Sequence, residues 1–151
     1  MKIYEAVKGE FSISTDRSKL DIEVIHDYLS KESYWAKNIP LDIVRKSIDG
    51  SFCFGVYHFR KQTGFARVVT DHATFAYLAD VFIVLEYRGK GLAKWLMEEI
   101  LKNPELQGLR RWLLATRDAH GLYMQFGFTP LDKPERIMGL KPFEKYPAVN
   151  S

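Results

Sequence analysis

The stretch Val81-Phe82-Ile83-Val84-Leu85-Glu86-Tyr87-Arg88-Gly89-Lys90-Gly91-Leu92-Ala93 changes character twice along its length. Val81 to Leu85 is an apolar run that predicts the end of a β-strand starting near Phe75. Glu86 to Gly91 is polar and holds two glycines, which is turn chemistry. From Leu92 a helix is predicted to about Lys102. Leu92, Trp95, Leu96 and Ile100 make its apolar stripe, and Lys94, Glu98 and Lys102 line the other side. Asn103-Pro104 stops it. A strand running into a helix start leaves backbone N–H groups unpaired at the positive end of the helix dipole, which favours a phosphate. Gly89 and Gly91 have no side chain to hold a ligand off, and Lys90 and Lys94 add positive charge. A Rossmann fingerprint would need a third glycine at position 94, which is Lys94. A P-loop needs Ser or Thr after Gly89-Lys90, and Gly91 stands there.

Upstream, a strand is predicted near Phe11 to Ser14. From Leu20 the residues Ile22, Ile25, His26 and Leu29 fall on one helix face, which fades near Ser30 to Ser33. Pro40 opens a second short helix, with Ile43, Val44 and Ile48 on one side and Asp49-Gly50 at its end. Three strands follow as a meander: Ser51 to Phe59, Gly64 to Thr70 and Phe75 to Leu85. Downstream, Arg110 to Ala115 reads as a strand. Asp118 to Gln125 reads as a short helix with Asp118 as N-cap, and Ile137 to Leu140 as a last strand. The fold class is therefore α+β: a mixed, mostly antiparallel sheet with one parallel step across the Leu92 helix.

The 151 residues predict one domain, with its core over about 10–141 and a tail over 142–151. Lysines and arginines number 22 against 19 acidic residues, a dispersed excess of +3. That suits an anionic ligand but not a nucleic-acid surface, so no nucleic-acid partner is expected. No apolar run approaches the roughly 20 residues that span a bilayer, so no membrane partner is expected. Cys53 is the only cysteine and sits in an apolar run. It reads as a small buried hydrophobe in a cytoplasmic protein. No two histidines have metal-helix spacing, and no metal is predicted.

Arg88, Gly91 and Ala93 form the pattern Arg-x-x-Gly-x-Ala directly after a strand. Ala119-His120-Gly121-Leu122-Tyr123-Met124-Gln125-Phe126-Gly127-Phe128 follows downstream. In both motifs, and in their order, the chain resembles the GCN5-related N-acetyltransferases (the GNAT family), whose signatures are Gln/Arg-x-x-Gly-x-Gly/Ala and Ala-x-x-Leu-Tyr-x-x-x-Gly-Phe. The resemblance covers about residues 10–141. It departs at Leu85, where the family often has Pro, and at Thr116, where it often has Asn.

The resemblance implies the acyl-CoA N-acyltransferase fold, in which a splayed parallel strand pair binds coenzyme A, with acetyl-CoA as co-substrate. It assigns the pyrophosphate to the backbone of Arg88, Gly89, Lys90, Gly91, Leu92 and Ala93. By position it assigns the pantetheine arm and acetyl carbonyl to Phe82 and Ile83, with Val81 adjacent and Thr116 in place of the family's Asn. It implies direct acetyl transfer to a primary amine of a small molecule or peptide by a monomer or homodimer. Tyr123 matches the family tyrosine that protonates the leaving thiolate. Asp80 is a candidate base, although strand parity turns it away from Ile83 unless a bulge intervenes. Asp71, His72 and His120 rank behind it. Tyr34, Trp35 and Arg67 are candidates for the acceptor wall, with Arg67 able to pair with a substrate carboxylate.

Each candidate also has a plainer reading. The two glycines suit an ordinary turn, Tyr123 has the spacing of a core aromatic, Trp35 can seal a core edge, and His26 has the place of a packed histidine. A non-catalytic acyl-CoA-binding sensor is the alternative function, and it predicts ligand binding without transfer.

Overall fold

The computed structural model describes residues 2–148. Six strands form one sheet in the order of the chain: β1 Glu5–Lys8, β2 Phe11–Ser14, β3 Phe52–His58, β4 Lys61–Thr70, β5 Phe75–Ile83 and β6 Arg111–Leu114. Neighbours are antiparallel from β1 to β5. β5 and β6 are parallel, joined by a crossover through helix α3, Leu92–Leu101.

The sheet is covered on both faces, so its central strands are apolar on both sides. Phe54, Val56, Val68, Ala76, Leu78 and Ile83 face α3 and pack on Leu92, Trp95, Leu96 and Ile100. Cys53, Phe65 and Phe82 face the other way. They meet Ile25 and Leu29 from the first helical segment, and Val44 and Ile48 from helix α2, Leu41–Asp49. A fully buried Leu96 stabilises the fold by roughly 1.5–3 kcal/mol through removal of apolar surface from water.

Helix α1 spans Ile22–Asp27, and Asp21 caps it by accepting from Val24 N–H. The chain then widens into one π-helical turn over Tyr28–Glu32. Ser30 and Ser33 donate to the carbonyls of His26 and Leu29, each at 2.6 Å, which competes with the regular ladder and ends the helix early. His26 is half-buried with Nε2 on the Ile39 carbonyl at 3.0 Å, the packed histidine expected of that position.

Three expectations need correction. β1 was not anticipated; it forms as an edge strand whose approach is fixed by Tyr4, which donates to buried Glu99 of α3 at 2.6 Å. β4 begins already at Lys61, because the hairpin turns at Phe59-Arg60 with Phe59 at φ 53°. No strand forms at Ile137 to Leu140. That segment is exposed loop, and β6 remains the sheet edge among the described residues. A strand needs a partner for its backbone, and Gly139 weakens this one further.

Candidate active site

The site begins where two strands part. β5 and β6 stay in register from Phe75 opposite Arg111 to Leu78 opposite Leu114. β6 then ends, while β5 continues to Ile83 against β4 alone. In that stretch Val84 N–H donates to the Thr63 carbonyl at 2.9 Å. By antiparallel alternation Phe82 also faces β4, while the N–H and C=O of Ile83 face the gap left by β6. Phe82 lines the cavity at this gap beside Ile83, but only Ile83 turns its backbone polar groups to the gap. The Phe82 backbone belongs to the β4 ladder, and its ring stacks on Tyr28 at 4.0 Å between centroids.

The Ile83 carbonyl accepts from Arg88 Nε at 3.0 Å, and Arg88 Nη2 donates to the Tyr28 hydroxyl at 2.7 Å. Arg88 thus pins the turn to the strand end, and its own N–H is taken by the Leu85 carbonyl. The N–H groups of Gly89 through Lys94 have no acceptor among the described residues. Gly89 and Gly91 adopt φ of 80° and 78°, a left-handed backbone that L side chains strain to reach. Gly91 is the N-cap of α3, no side chain caps the helix, and its first turn holds no acidic residue.

A β-bulge interrupts β5 opposite Phe65 to Arg67. Asp80 sits in it with φ 54°. The extra residue breaks the parity and places Asp80 against Arg67 and Trp35. Arg67 Nε donates to Asp80 Oδ2 at 2.9 Å, Trp35 Nε1 donates to Oδ1 at 2.8 Å, and Arg67 Nη1 donates to Ser51 Oγ at 3.0 Å.

Two adjoining cavities, of about 530 and 630 Å³, meet at the splay. The first is lined by Tyr87 to Gly89, Gly91 to Lys94, Val81 and Ile83. Its charged lining, Arg88, Lys94 and Arg117 against Glu32 and Asp118, suits an anion. The second is lined by Arg67, Asp80, Thr116, Tyr77 and Tyr146. Tyr34, Trp35, Arg117 and Tyr123 border both. Tyr123 lies on helix α4, His120–Met124, only 8% exposed, and burial pushes its hydroxyl up to about 12, with Tyr34 and Asp118 acting in the same direction. Burial likewise pushes the Cys53 thiol up to about 12.

Residues 49–130 match the family model described as the acetyltransferase (GNAT) domain. The chain belongs to the GNAT acetyltransferases. It is 33% identical to a candidate acetyltransferase of Gibberella zeae over 77% of each chain. It is 52% identical to a candidate GNAT acetyltransferase from Xanthomonas campestris, whose crystal structure superposes with a TM-score of 0.85 over 87% of this chain and 92% of that one. At 12% identity, a candidate acetyltransferase from Clostridium acetobutylicum crystallised with acetyl-CoA shares the fold, with a TM-score of 0.61 over 93% and 95% of the two chains.

Within this GNAT frame the first cavity gathers Val81, Phe82, Ile83, Arg88, Gly89, Gly91, Leu92 and Ala93, while Lys90 stands exposed on the turn. Thr116 is in the second cavity instead, where its Oγ1 accepts from Ala119 N–H at 3.0 Å. Ala119 is the N-cap of α4 and no side chain caps the helix, so Asp118 does not do the capping expected of it. Asp71 is held in the β4–β5 turn by amides from Ala73, Thr74 and Phe75, and is absent from both linings. Tyr28, Tyr77, Arg117 and Tyr146 were missed. Tyr28 lies off the apolar stripe of its helix, and Arg117 and Tyr146 lie in segments without periodicity. Arg117 crosses the cleft: its N–H donates to the Tyr34 hydroxyl at 2.8 Å, and its guanidinium lies 3.8 Å from the Tyr34 ring centroid.

Proposed function

We propose that this GNAT protein is an N-acetyltransferase that moves an acetyl group from acetyl-CoA directly to a primary amine of a small molecule or peptide. The observation that carries the reading is convergence on one cleft of the unpaired amides from Gly89 to Lys94, the gap-facing Ile83 N–H and the Tyr123 ring. The amides suit a pyrophosphate, because N–H groups at an uncapped helix start need an anion or water. Lys94 supports that charge preference from the cavity wall.

Acetyl-CoA supplies an activated thioester. The chain's own groups then have three tasks. Ile83 N–H donates to the carbonyl oxygen as negative charge grows on it. The acceptor amine, with a pKa near ~10 in water, must lose a proton before it attacks. Both Asp80 oxygens already accept one bond, so Asp80 holds the arriving ammonium and the proton leaves to solvent in the open cleft. The C–N bond forms and the C–S bond breaks; Tyr123 gives its proton to the departing sulfur and recovers one from the acylated nitrogen, so the two protons of the ammonium end on the sulfur and in solvent.

Calorimetric titration with acetyl-CoA, with ATP and NAD as controls, tests the cofactor half. Selective binding of the CoA compound is expected. Thiol release on adding amines tests the transfer. Binding without release to any amine would make the protein an acyl-CoA sensor, and binding of ATP or NAD alone would sink the reading of the Arg88–Ala93 turn.

A further inference from the structure

The second cavity narrows the acceptor, on the premise that the chain is the N-acetyltransferase proposed above. We infer that the acceptor is a zwitterion: a small free amino acid whose carboxylate is received by Arg67 while Asp80 holds its amino group.

Three observations carry this. The first is unused capacity of both signs at one place. Arg67 gives Nε to Asp80 and Nη1 to Ser51, and its Nη2 has no partner among the described residues. Each Asp80 oxygen accepts one bond, from Trp35 or Arg67, and a carboxylate oxygen accommodates two. The pair is mostly enclosed, with side chains 19% and 10% exposed, yet both residues line the cavity. A guanidinium edge and a carboxylate side by side present a dipole, and the complement of that dipole is a carboxylate and an ammonium on one molecule.

The second observation is charge balance. The charged residues lining this cavity are two arginines, Arg67 and Arg117, and two aspartates, Asp80 and Asp118. A polyamine would call for an acidic surplus and a dianion for a basic one. A zwitterion calls for neither.

The third is the backbone. Asp80 occupies a left-handed conformation in a bulge, and this is what carries it onto the Arg67 side of the sheet. Such an arrangement persists where the position of the side chain matters. Ile39, Ile43, Leu78 and Leu114 give the same cavity an apolar wall that suits a carbon skeleton.

In the reaction the ammonium gives up two protons, one ending on the CoA sulfur and one in solvent. The new bond joins nitrogen to the acetyl carbon, and the carboxylate stays bound to Arg67 unchanged.

The test is thiol release by the wild-type protein with matched acceptors. Free amino acids, with amine and carboxylate one, two or three carbons apart, are each compared with the corresponding amide and decarboxylated amine. A site built around a charged partner should favour the best amino acid by roughly 10-fold or more in kcat/KM over its amide. Arg67→Lys should raise KM for that amino acid and erase the preference while leaving the acetyl-CoA Kd unchanged. The wild-type comparison decides the matter even if this variant fails to fold. Equal or better rates with the amides, amines or peptides would overturn the zwitterion and leave the acetyltransferase reading standing. So would acetyl-CoA binding with no release to any amino acid. Failure to bind acetyl-CoA would remove both.

Discussion

Tyr123 keeps its proton well past neutrality because burial pushes its pKa up to about 12. On the proposed reading the same enclosure disfavours a free thiolate, so the Tyr123 donor and the leaving group are both driven toward their neutral forms. Tyr123→Phe should lower kcat by about 10²-fold or more, the range of a lost general acid. The acetyl-CoA Kd, read by calorimetry, should not move. In the wild type, the alkaline limb an ordinary tyrosine would impose near pH ~10 should be absent from the kcat profile. Cys53 behaves oppositely to a nucleophile: buried, with its thiol pushed up to about 12, it should react with a thiol reagent only after unfolding. Rapid labelling of the native protein would contradict that burial.

On the proposed reading the first turn of helix α3 receives the pyrophosphate, and that turn is where binding and folding can be separated. Lys94 is exposed and lines the first cavity. Lys94→Glu places an acid where the dipole welcomes one, a gain of about 0.3–1 kcal/mol for the helix. It also sets a negative charge against the pyrophosphate site. The thermal midpoint should hold or rise while the acetyl-CoA Kd weakens; a parallel loss of both would mean the site is merely structural. This turn was legible from Val81 to Ala93 because strand, glycines and helix each left a local signal. The role proposed for Tyr123 rests on its family motif, since its spacing equally suits a core aromatic. The Asp80 bulge was not legible, because a bulge is decided by pairing between β4 and β5 rather than by either strand alone. The failure at Ile137 to Leu140 has the same root: strand-like residues there find no neighbour to pair with. Arg117 and Tyr146 reach the cleft only through tertiary folding.

At the scale of the whole molecule, several acids titrate late together. Cys53 is raised from 9.0 to about 12 and Tyr123 from 10.0 to about 12, both chiefly by burial. Tyr4 is raised from 10.0 to about 12, chiefly by its bond to Glu99. In each case the unfolded chain loses its proton first. The stability these groups contribute is complete below pH 9 and is lost as pH climbs through 12. The melting temperature should therefore fall steeply from about pH 9 to 12, and a flat curve there would refute the burial of these groups. Among the described residues, the tail contributes one to the second cavity. Tyr146 is partly buried against the core cluster that holds Ile25, Val44 and Phe82, and it lines the second cavity. Deleting residues 142–151 should raise KM for the acceptor while sparing the acetyl-CoA Kd, as measured by thiol release and calorimetry. Finally, Trp35 lies where the two cavities join, with its indole hydrogen bonded to Asp80, while Trp95 is sealed in the core beside Glu99. The protein thus carries its own optical reporter. Occupation of the second cavity should shift the emission of Trp35 against the background of Trp95 and Trp112, neither of which lines either cavity.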